Sequence, residues 1–562
     1  MKLRLHGGGH PRWLPPLLVC IVGLICVAPV ARLALDAAAA LARGDASVLA
    51  SPAAWRATAN TLTTATAGTT LSLVLGGAFA ILLTLTDVRG KLAFSFAFML
   101  PLMIPPQVTA LAWIQMTGPS SPLLNAIGLA PPLGSPQPLY SLSGIALLLG
   151  VQHAPLVYLA LRAGLAALPA DAVDAARLAG ATPRQVLRDV ILPLAWPGIV
   201  AGAAIAFVSS VGNFGIPAML GIPATIFVLP TFIYSRLASF GASTLPDAAL
   251  LSMLVALIAL AGIVLQRIAL GRRDYRVIGL SGPVARFGLG RWRAPVEAAM
   301  IAVIFAILVA PMLALAAASL VPAIGVRLTA ATASLQAYRE ILFAQSVTIT
   351  AFRNSFFLAA SAAVLLVAFC VPLALWLRSR GHGLATMVET AVDVPYALPG
   401  IVLGVAFILL FAAPLPVVGV SIYATIWIIL IAYLASFMSV ALKPLGAALA
   451  QSDIALEEAA SLAGAGFGRR MADIVVPLIA PAAGAAAILV FLIAVNELTV
   501  SALLWSAGTQ TLGVAVYNLQ DSGSMSLASA LSVIVVLMVL ALMLVLEAIA
   551  HRLPKGAIPW RS

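Results

Sequence analysis

Polar groups that could do chemistry are few in this sequence, and where they stand says more than what they are. Among 562 residues only 19 are Asp or Glu and five are His. An ionisable or amide side chain inside an apolar stretch is costly in lipid and is a candidate for function. Glu497, in Asn496-Glu497-Leu498, is one; Asn213, in Gly212-Asn213-Phe214-Gly215, is another. On a helix rising 1.5 Å per residue, Glu497 lies roughly 30 Å beyond Pro477, near the far face of a membrane. A Glu and an Asn facing one another could form an outer gate or a passing cation contact. The alternative is an interfacial Glu satisfied by water or by a backbone donor. Glu389 and Asp393 share a helix face at i, i+4, where they could assist release of a cation or pair with Arg378 or Arg380. His153, beside Gln152, reads as a hydrogen-bonded structural imidazole. Cys20, Cys26 and Cys370 fall in apolar stretches without metal-ligand spacing and read as small hydrophobes.

Several chemistries are excluded. The one Gly-Lys pair, Gly90-Lys91, lacks the glycine five residues earlier and the following Ser or Thr that a phosphate-cradling loop needs. No His-Glu-x-x-His occurs. A hard metal ion would want several oxygen ligands, and no such cluster is visible, so no metal site is predicted. With no catalytic residue and no nucleotide site, the chain reads as a non-enzyme whose energy comes from elsewhere.

Two polar, Ala-rich islands interrupt the apolar background. Residues 171–193 read D-A-V-D-A-A-R-L-A-G-A-T-P-R-Q-V-L-R-D-V-I-L-P, and residues 455–477 read A-L-E-E-A-A-S-L-A-G-A-G-F-G-R-R-M-A-D-I-V-V-P. At a constant offset of 284 the copies match at an acid followed by two alanines: Asp174-Ala175-Ala176 and Glu458-Ala459-Ala460. They match again at Gly180 and Gly464, at Val190 and Ile474, and at Pro193 and Pro477. Each copy predicts a helix–turn–helix. Asp171 can cap the first helix and Asp174 favours its positive start. Gly180 ends it in a left-handed turn. Thr182, Pro183 and Gln185 then form a capping box for the next helix. The second copy is weaker there, with Gly466 and Phe467.

The spacing acid-Ala-Ala, three residues, Gly, nine residues, Ile-x-Leu-Pro resembles the signature loop of bacterial ABC importer permeases. Copy one departs with Asp174 for Glu and Val190 for Ile; copy two departs with Val476 for Leu. The likeness extends over roughly residues 55–550 and is nearest to fused, two-loop permeases of the ferric-iron and 2-aminoethylphosphonate type. It implies an all-α polytopic fold of about twelve spans in two homologous halves. It also implies that each loop is a coupling helix seated in a cleft of a separate ATPase subunit. Two such subunits would bind ATP and Mg, and a periplasmic or tethered binding protein would deliver substrate. Asp174 and Glu458 would then serve in capping and polar contact, and Gly180 and Gly464 would aim the helix. Ferric iron is the first substrate implied, with 2-aminoethylphosphonate, thiamine or another small solute as alternatives.

The elements that must position these groups are membrane spans. The chain is 62% hydrophobic and 9% charged, with mean hydropathy +1.10, far from a soluble composition. A spanning helix needs about 20 apolar residues. Stretches that qualify lie near 13–35, 58–86, 93–116, 141–165, 193–219, 246–270, 295–320, 352–378, 385–413, 417–442, 477–505 and 526–550. The first could also be a signal peptide; its length and the polytopic remainder favour an uncleaved anchor. With the N-terminus in the cytoplasm, all but seven of the 31 Lys and Arg fall on the cytoplasmic side. That is the expected bias. It places both termini and both loops in the cytoplasm, and the resemblance implies that the membrane is the bacterial inner one. The net charge of +12 thus reflects orientation, and no nucleic-acid partner is predicted.

The repeat is wider than the loops. Asn60-Thr61 pairs with Asn354-Ser355 and Pro101-x-x-x-Pro105 with Pro395-x-x-x-Pro399, at offset 294. The offset falls to 284 because the outer loop Gly118 to Ser141 is longer. The expected organisation is a half over 1–270, a basic linker over 271–294, and a half over 295–562. Each half has one peripheral and five core spans, and a route runs at their interface. Pro105 and Pro399 would shape helices beside that route. A secondary transporter driven by an ion gradient is the rival from another class; it calls for acids at mid-depth and leaves the loops unexplained, as does a non-transporting scaffold.

Overall fold

The computed structural model describes residues 11–132, 134–166, 168, 170–239, 241, 243–271, 287–323, 325–379, 382–414 and 419–549. Most of the basic linker and Arg380 lie outside them, as do both termini. Among the described residues the regular structure is helical, with a single isolated bridge, Thr86 to Phe287. Among the described residues nine helices are long and apolar enough to cross a membrane, or up to twelve if each of three bent pairs is one span. Apolar residues all round each helix suit lipid on one side and protein on the other.

Several boundaries differ from the expectation. The second span begins at Pro52, six residues early, because Ser51 caps it by accepting from the Ala54 amide at 3.2 Å. The span expected near 417–442 is Ile426–Gln451. The expected spans over 93–116 and 385–413 are broken. Lys91–Met103 meets the helix beginning at Pro106 at 100°, and Gly383–Ala397 meets Gly400–Phe411 at 106°. Pro105 and Pro399 stand at the two breaks with nearly the same extended backbone. The break exposes carbonyls, and Gln152 donates to that of Ile104 at 3.2 Å, which is how neighbouring helices make such breaks tolerable in a membrane.

A second proline device recurs four times. The segments Gly23–Val27, Val186–Ile191, Phe305–Val309 and Met471–Val475 are single π-helical turns. Each ends two residues before a proline: Pro29, Pro193, Pro311 and Pro477. In each the last N–H before the proline reaches back five residues, as from Leu192 to Leu187 and from Val476 to Met471. Proline has no N–H and its ring crowds the carbonyl four residues back. A widened turn relieves that crowding.

The described residues form two compact units, neither contiguous in sequence. One takes in the described parts of Met1–Asp45, Ser346–Ala515 and Leu537–Ser562; the other takes in those of Ala46–Gln345 and Val516–Val536. Within the first, the N-terminal helix Ala28–Ala42 packs on Gly400–Phe411. Within the second, Ala310–Ser319 packs on Pro106–Thr117. Each peripheral span is therefore partnered by core spans from the other half of the sequence. Inside the second unit the helices Pro52–Leu85 and Leu142–Ala166 lie close together. A Cβ at Gly76 would collide with the Ala154 carbonyl oxygen, the small-residue contact typical of membrane helices.

Candidate coupling loops and pathway residues

The two loops fold alike. Ala170–Leu178 and Ile454–Leu462 are the first helices, and each ends in a left-handed glycine, Gly180 at φ +84° and Gly464 at φ +81°. The Gly180 amide bonds the Arg177 carbonyl at 2.9 Å and the Ala181 amide bonds that of Ala176 at 3.1 Å. The same pair recurs as Gly464 to Ser461 at 3.0 Å and Ala465 to Ala460 at 2.9 Å. This pairing satisfies the carbonyls that a helix end leaves free. No atom lies within 4 Å of a Cβ built on either glycine, so conformation, not space, requires glycine there.

Thr182 caps the next helix. Its hydroxyl accepts from the Gln185 amide while Gln185 Oε1 accepts from the Thr182 amide at 2.8 Å. Gly466 gives the second copy no such cap. Asp171 does not cap as expected: it lies inside the first turn of a helix that already starts at Ala170. In the second copy Asp453 is the cap, accepting from the Ala455 amide at 2.9 Å.

Exposure follows the repeat. Asp174 and Glu458, Ala175 and Ala459, and Gly180 and Gly464 are all exposed, while Ala176 and Ala460 are half-buried. Leu178 and Leu462, 284 residues apart, are each 90% exposed. The same large apolar side chain is thus held in the open at the same place in both copies. The shared Leu-Ala-Gly-Ala in the two islands carried this signal, but the acids and glycines drew the reading away from it.

The loops are anchored differently. In the first, the Arg177 guanidinium lies 4.4 Å from the Phe287 ring centroid. Phe287 is fixed by its amide, which bonds the Leu85 carbonyl at 2.8 Å. Asp87 accepts from the Leu289 amide at 2.9 Å and pairs with Arg293. In the second, Arg378 donates to the Leu449 carbonyl and the Ser452 hydroxyl, each at 2.8 Å, and lies 3.6 Å from the Glu457 carboxylate. Arg378 therefore does not pair with Glu389 or Asp393, as one reading of the sequence had it. Asp393 instead takes Lys443 at 3.0 Å and the Ser439 hydroxyl at 2.5 Å. In the second island the anchored acid is Glu457, next to the Glu458 that the sequence singled out.

The polar groups near the expected far face are held by their own turns. Asn213 Oδ1 accepts from the Ile216 amide at 3.1 Å. Glu497 accepts from the Val500 amide at 2.7 Å, the Ser501 amide at 3.1 Å and the Ser501 hydroxyl at 3.0 Å. Both thus receive the amide three residues on, at equivalent places in the repeat. Asn496 occupies the C-cap of Val476–Val495. His153 bonds Ser210 at 2.9 Å and is buried. The Asn-Thr and Asn-Ser pairs also act alike. Asn60 donates to the Phe227 carbonyl, and Thr61 accepts from the Leu229 amide at the start of Leu229–Leu237. Asn354 donates to Gly508 and Gln510, and Ser355 accepts from the Leu512 amide at the start of Leu512–Asp521.

Phe214, Tyr234 and Tyr517 form a ring cluster that sequence reading missed, with centroids 5.1 to 6.3 Å apart. Burial, then the Asp521 carboxylate, pushes the Tyr234 phenol up; burial, then Tyr234 and Asp521, does so for Tyr517. Among the described residues no three His, Cys, Asp or Glu side chains converge.

A helical, multi-pass chain with two matched polar loops is the architecture of a membrane permease subunit. The chain belongs to the family of binding-protein-dependent transport system inner membrane components, whose pattern it matches twice, over residues 72–273 and 370–557. It is 25% identical over 514 residues to the probable ABC transporter permease protein y4fN of Sinorhizobium fredii, across 88% of this chain and 87% of that one. It is 26% identical over 498 residues to the ferric transport system permease protein FbpB of Actinobacillus pleuropneumoniae, across 86% and 70%. It is 29% identical over 201 residues to the putative 2-aminoethylphosphonate transport system permease protein PhnV of Salmonella paratyphi A, across 34% of this chain and 74% of that protein. The chain is thus an inner-membrane permease subunit of an ABC importer, with both permease repeats in one polypeptide.

Proposed function

We propose that this permease passes ferric iron from a binding protein to the cytoplasm, driven by two separate ATPase subunits seated on the loops at 171–193 and 455–477. The observation that carries the docking is the matched pair Leu178 and Leu462, each 90% exposed on a helix closed by the same glycine turn. ATP and Mg belong to the partner subunits. Closure of those subunits would pull on the two coupling helices and rock the spans behind them between outward and inward states. Asn213, Asn496, Glu497, Pro105 and Pro399 would border the route. The ferric assignment is supported by likeness to FbpB across most of the chain. The likeness to PhnV keeps 2-aminoethylphosphonate as the second reading.

Uptake into proteoliposomes holding the chain, its ATPase and its binding protein tests the proposal. Labelled ferric iron and labelled 2-aminoethylphosphonate would be offered separately, with and without ATP. ATP-dependent accumulation of iron supports the reading, and accumulation of the phosphonate alone replaces the substrate. Uptake that ignores ATP and follows an ion gradient overturns the importer mechanism in favour of secondary transport.

A further inference from the structure

The second repeat contains a charged cavity where the first repeat is filled. In the first, Ser95 and Tyr158 share a hydrogen bond of 2.7 Å, and Arg162 donates to the Tyr158 hydroxyl at 3.0 Å. Met99 and Tyr158 are fully buried there. The positions equivalent to Ser95 and Met99 at offset 294 are Glu389 and Asp393. Those equivalent to Tyr158, Leu159 and Arg162 at offset 284 are Leu442, Lys443 and Gly446. Replacing Tyr by Leu and Arg by Gly removes the two side chains that close the space. A cavity of about 490 Å³ results, bordered by Arg378, Glu389, Asp393, Leu442, Lys443 and Gly446. That volume lies in the range of small-molecule sites, about 300–1,000 Å³.

The lining carries both signs. Glu389 and Asp393 come from one helix, His382–Ala397. Lys443 comes from Ile426–Gln451 and Arg378 from the end of Ser346–Arg378. Glu389 is exposed and enters none of the ion pairs that tie its neighbours. Lys443 pairs with Asp393, yet its side chain is 63% exposed, and an ammonium has three donors to share. The helix that supplies the acids also carries Leu384, 45% exposed, and Met387, 71% exposed. A mixed-charge recess with an apolar flank suits a zwitterion attached to, or resembling, a lipid headgroup.

We propose that this cavity binds an aminoethyl phosphate group, its ammonium on Glu389 and its phospho oxygens on Lys443 and the edge of Arg378. The same chemistry is presented by a phosphatidylethanolamine headgroup in the surrounding membrane and by free phosphoethanolamine. The site does not depend on which solute the permease carries, so its test is separate from the uptake assay.

The test uses the full-length chain purified in phospholipid-free detergent, then in nanodiscs of phosphatidylglycerol alone or mixed with phosphatidylethanolamine. Phosphoethanolamine is the probe, read by saturation transfer and by its dissociation constant. Binding in detergent is expected, weakened at least tenfold by Glu389→Gln. Gly446→Arg should abolish it by restoring the filled arrangement of the first repeat. No atom lies within 4 Å of a Cβ at Gly446 and a helical glycine is a poor helix former, so this variant should fold. Probe binding lost only in discs containing phosphatidylethanolamine assigns the site to the lipid headgroup. Binding retained in those discs assigns it to a soluble compound. Absence of binding to the wild type, equal affinity in Gly446→Arg, or equal binding of inorganic phosphate would overturn the proposal.

Discussion

Arg378 and Glu457 lie 3.6 Å apart, joining the end of a long membrane helix to the first turn of the helix Ile454–Leu462 in the second loop. The pair is largely shielded, with side chains 17% and 20% exposed. The same guanidinium holds the Leu449 carbonyl and the Ser452 hydroxyl. The guanidinium therefore ties the loop to the end of Ser346–Arg378. Arg378→Ala should cost about 1–3 kcal/mol locally, the scale of lost hydrogen bonds to a charged group. Hydrogen exchange should quicken over 452–464 and stay unchanged over 170–181. Arg378→Lys should recover only part of this, since an ammonium lacks the planar fork. Equal exchange in wild type and Arg378→Ala would remove the anchoring role.

The glycine turns give a prediction about symmetry. Gly180→Ala and Gly464→Ala each force a side chain into the left-handed region at roughly 1–2 kcal/mol. Because neither site has a neighbour within 4 Å, the two losses should be nearly equal. Hydrogen exchange of the amides of Ala181 and Ala465 measures them. A loss confined to one loop would mean that contacts, and not backbone conformation, select glycine.

Glu497 separates a cap from a pathway group. As a cap it accepts three bonds, and Glu497→Gln gives up part of that capacity, at about 1–3 kcal/mol. Thermal midpoint and uptake should then fall together. Uptake lost at an unchanged midpoint would instead make the carboxylate part of the route.

Thr182 supplies a cap that the second loop lacks. Thr182→Ala should cost about 1 kcal/mol in the first loop, seen as faster exchange of the Gln185 amide. An unchanged rate would show that Pro183 and the π turn suffice to start that helix.

Much of this was legible in sequence because the duplication leaves local marks. The matched islands, the glycine turns, the Thr182 capping box and the proline pairs are all written within short windows. The Asn60-Thr61 and Asn354-Ser355 match was visible, but its purpose was not, since their partners lie more than 150 residues away. The packing of each peripheral span on core spans from the other half of the sequence left no local trace, because a helix apolar all round does not encode its neighbour. The breaks at Pro105 and Pro399 were legible as kinks, yet their size depends on acceptors such as Ile104 finding Gln152. Arg378 was read against the nearest acids in sequence; its partner Glu457 follows an intervening span.

Under the proposed function, both loops receive ATPase subunits through their exposed leucines, Leu178 and Leu462. Co-purification of the chain with its ATPase, quantified by subunit stoichiometry, tests it most directly. Leu178→Asp and Leu462→Asp should each reduce the retained ATPase, and the double variant should retain none. The thermal midpoint of the chain alone should not move, since both side chains are 90% exposed. A double variant that keeps the full complement of ATPase would contradict the account.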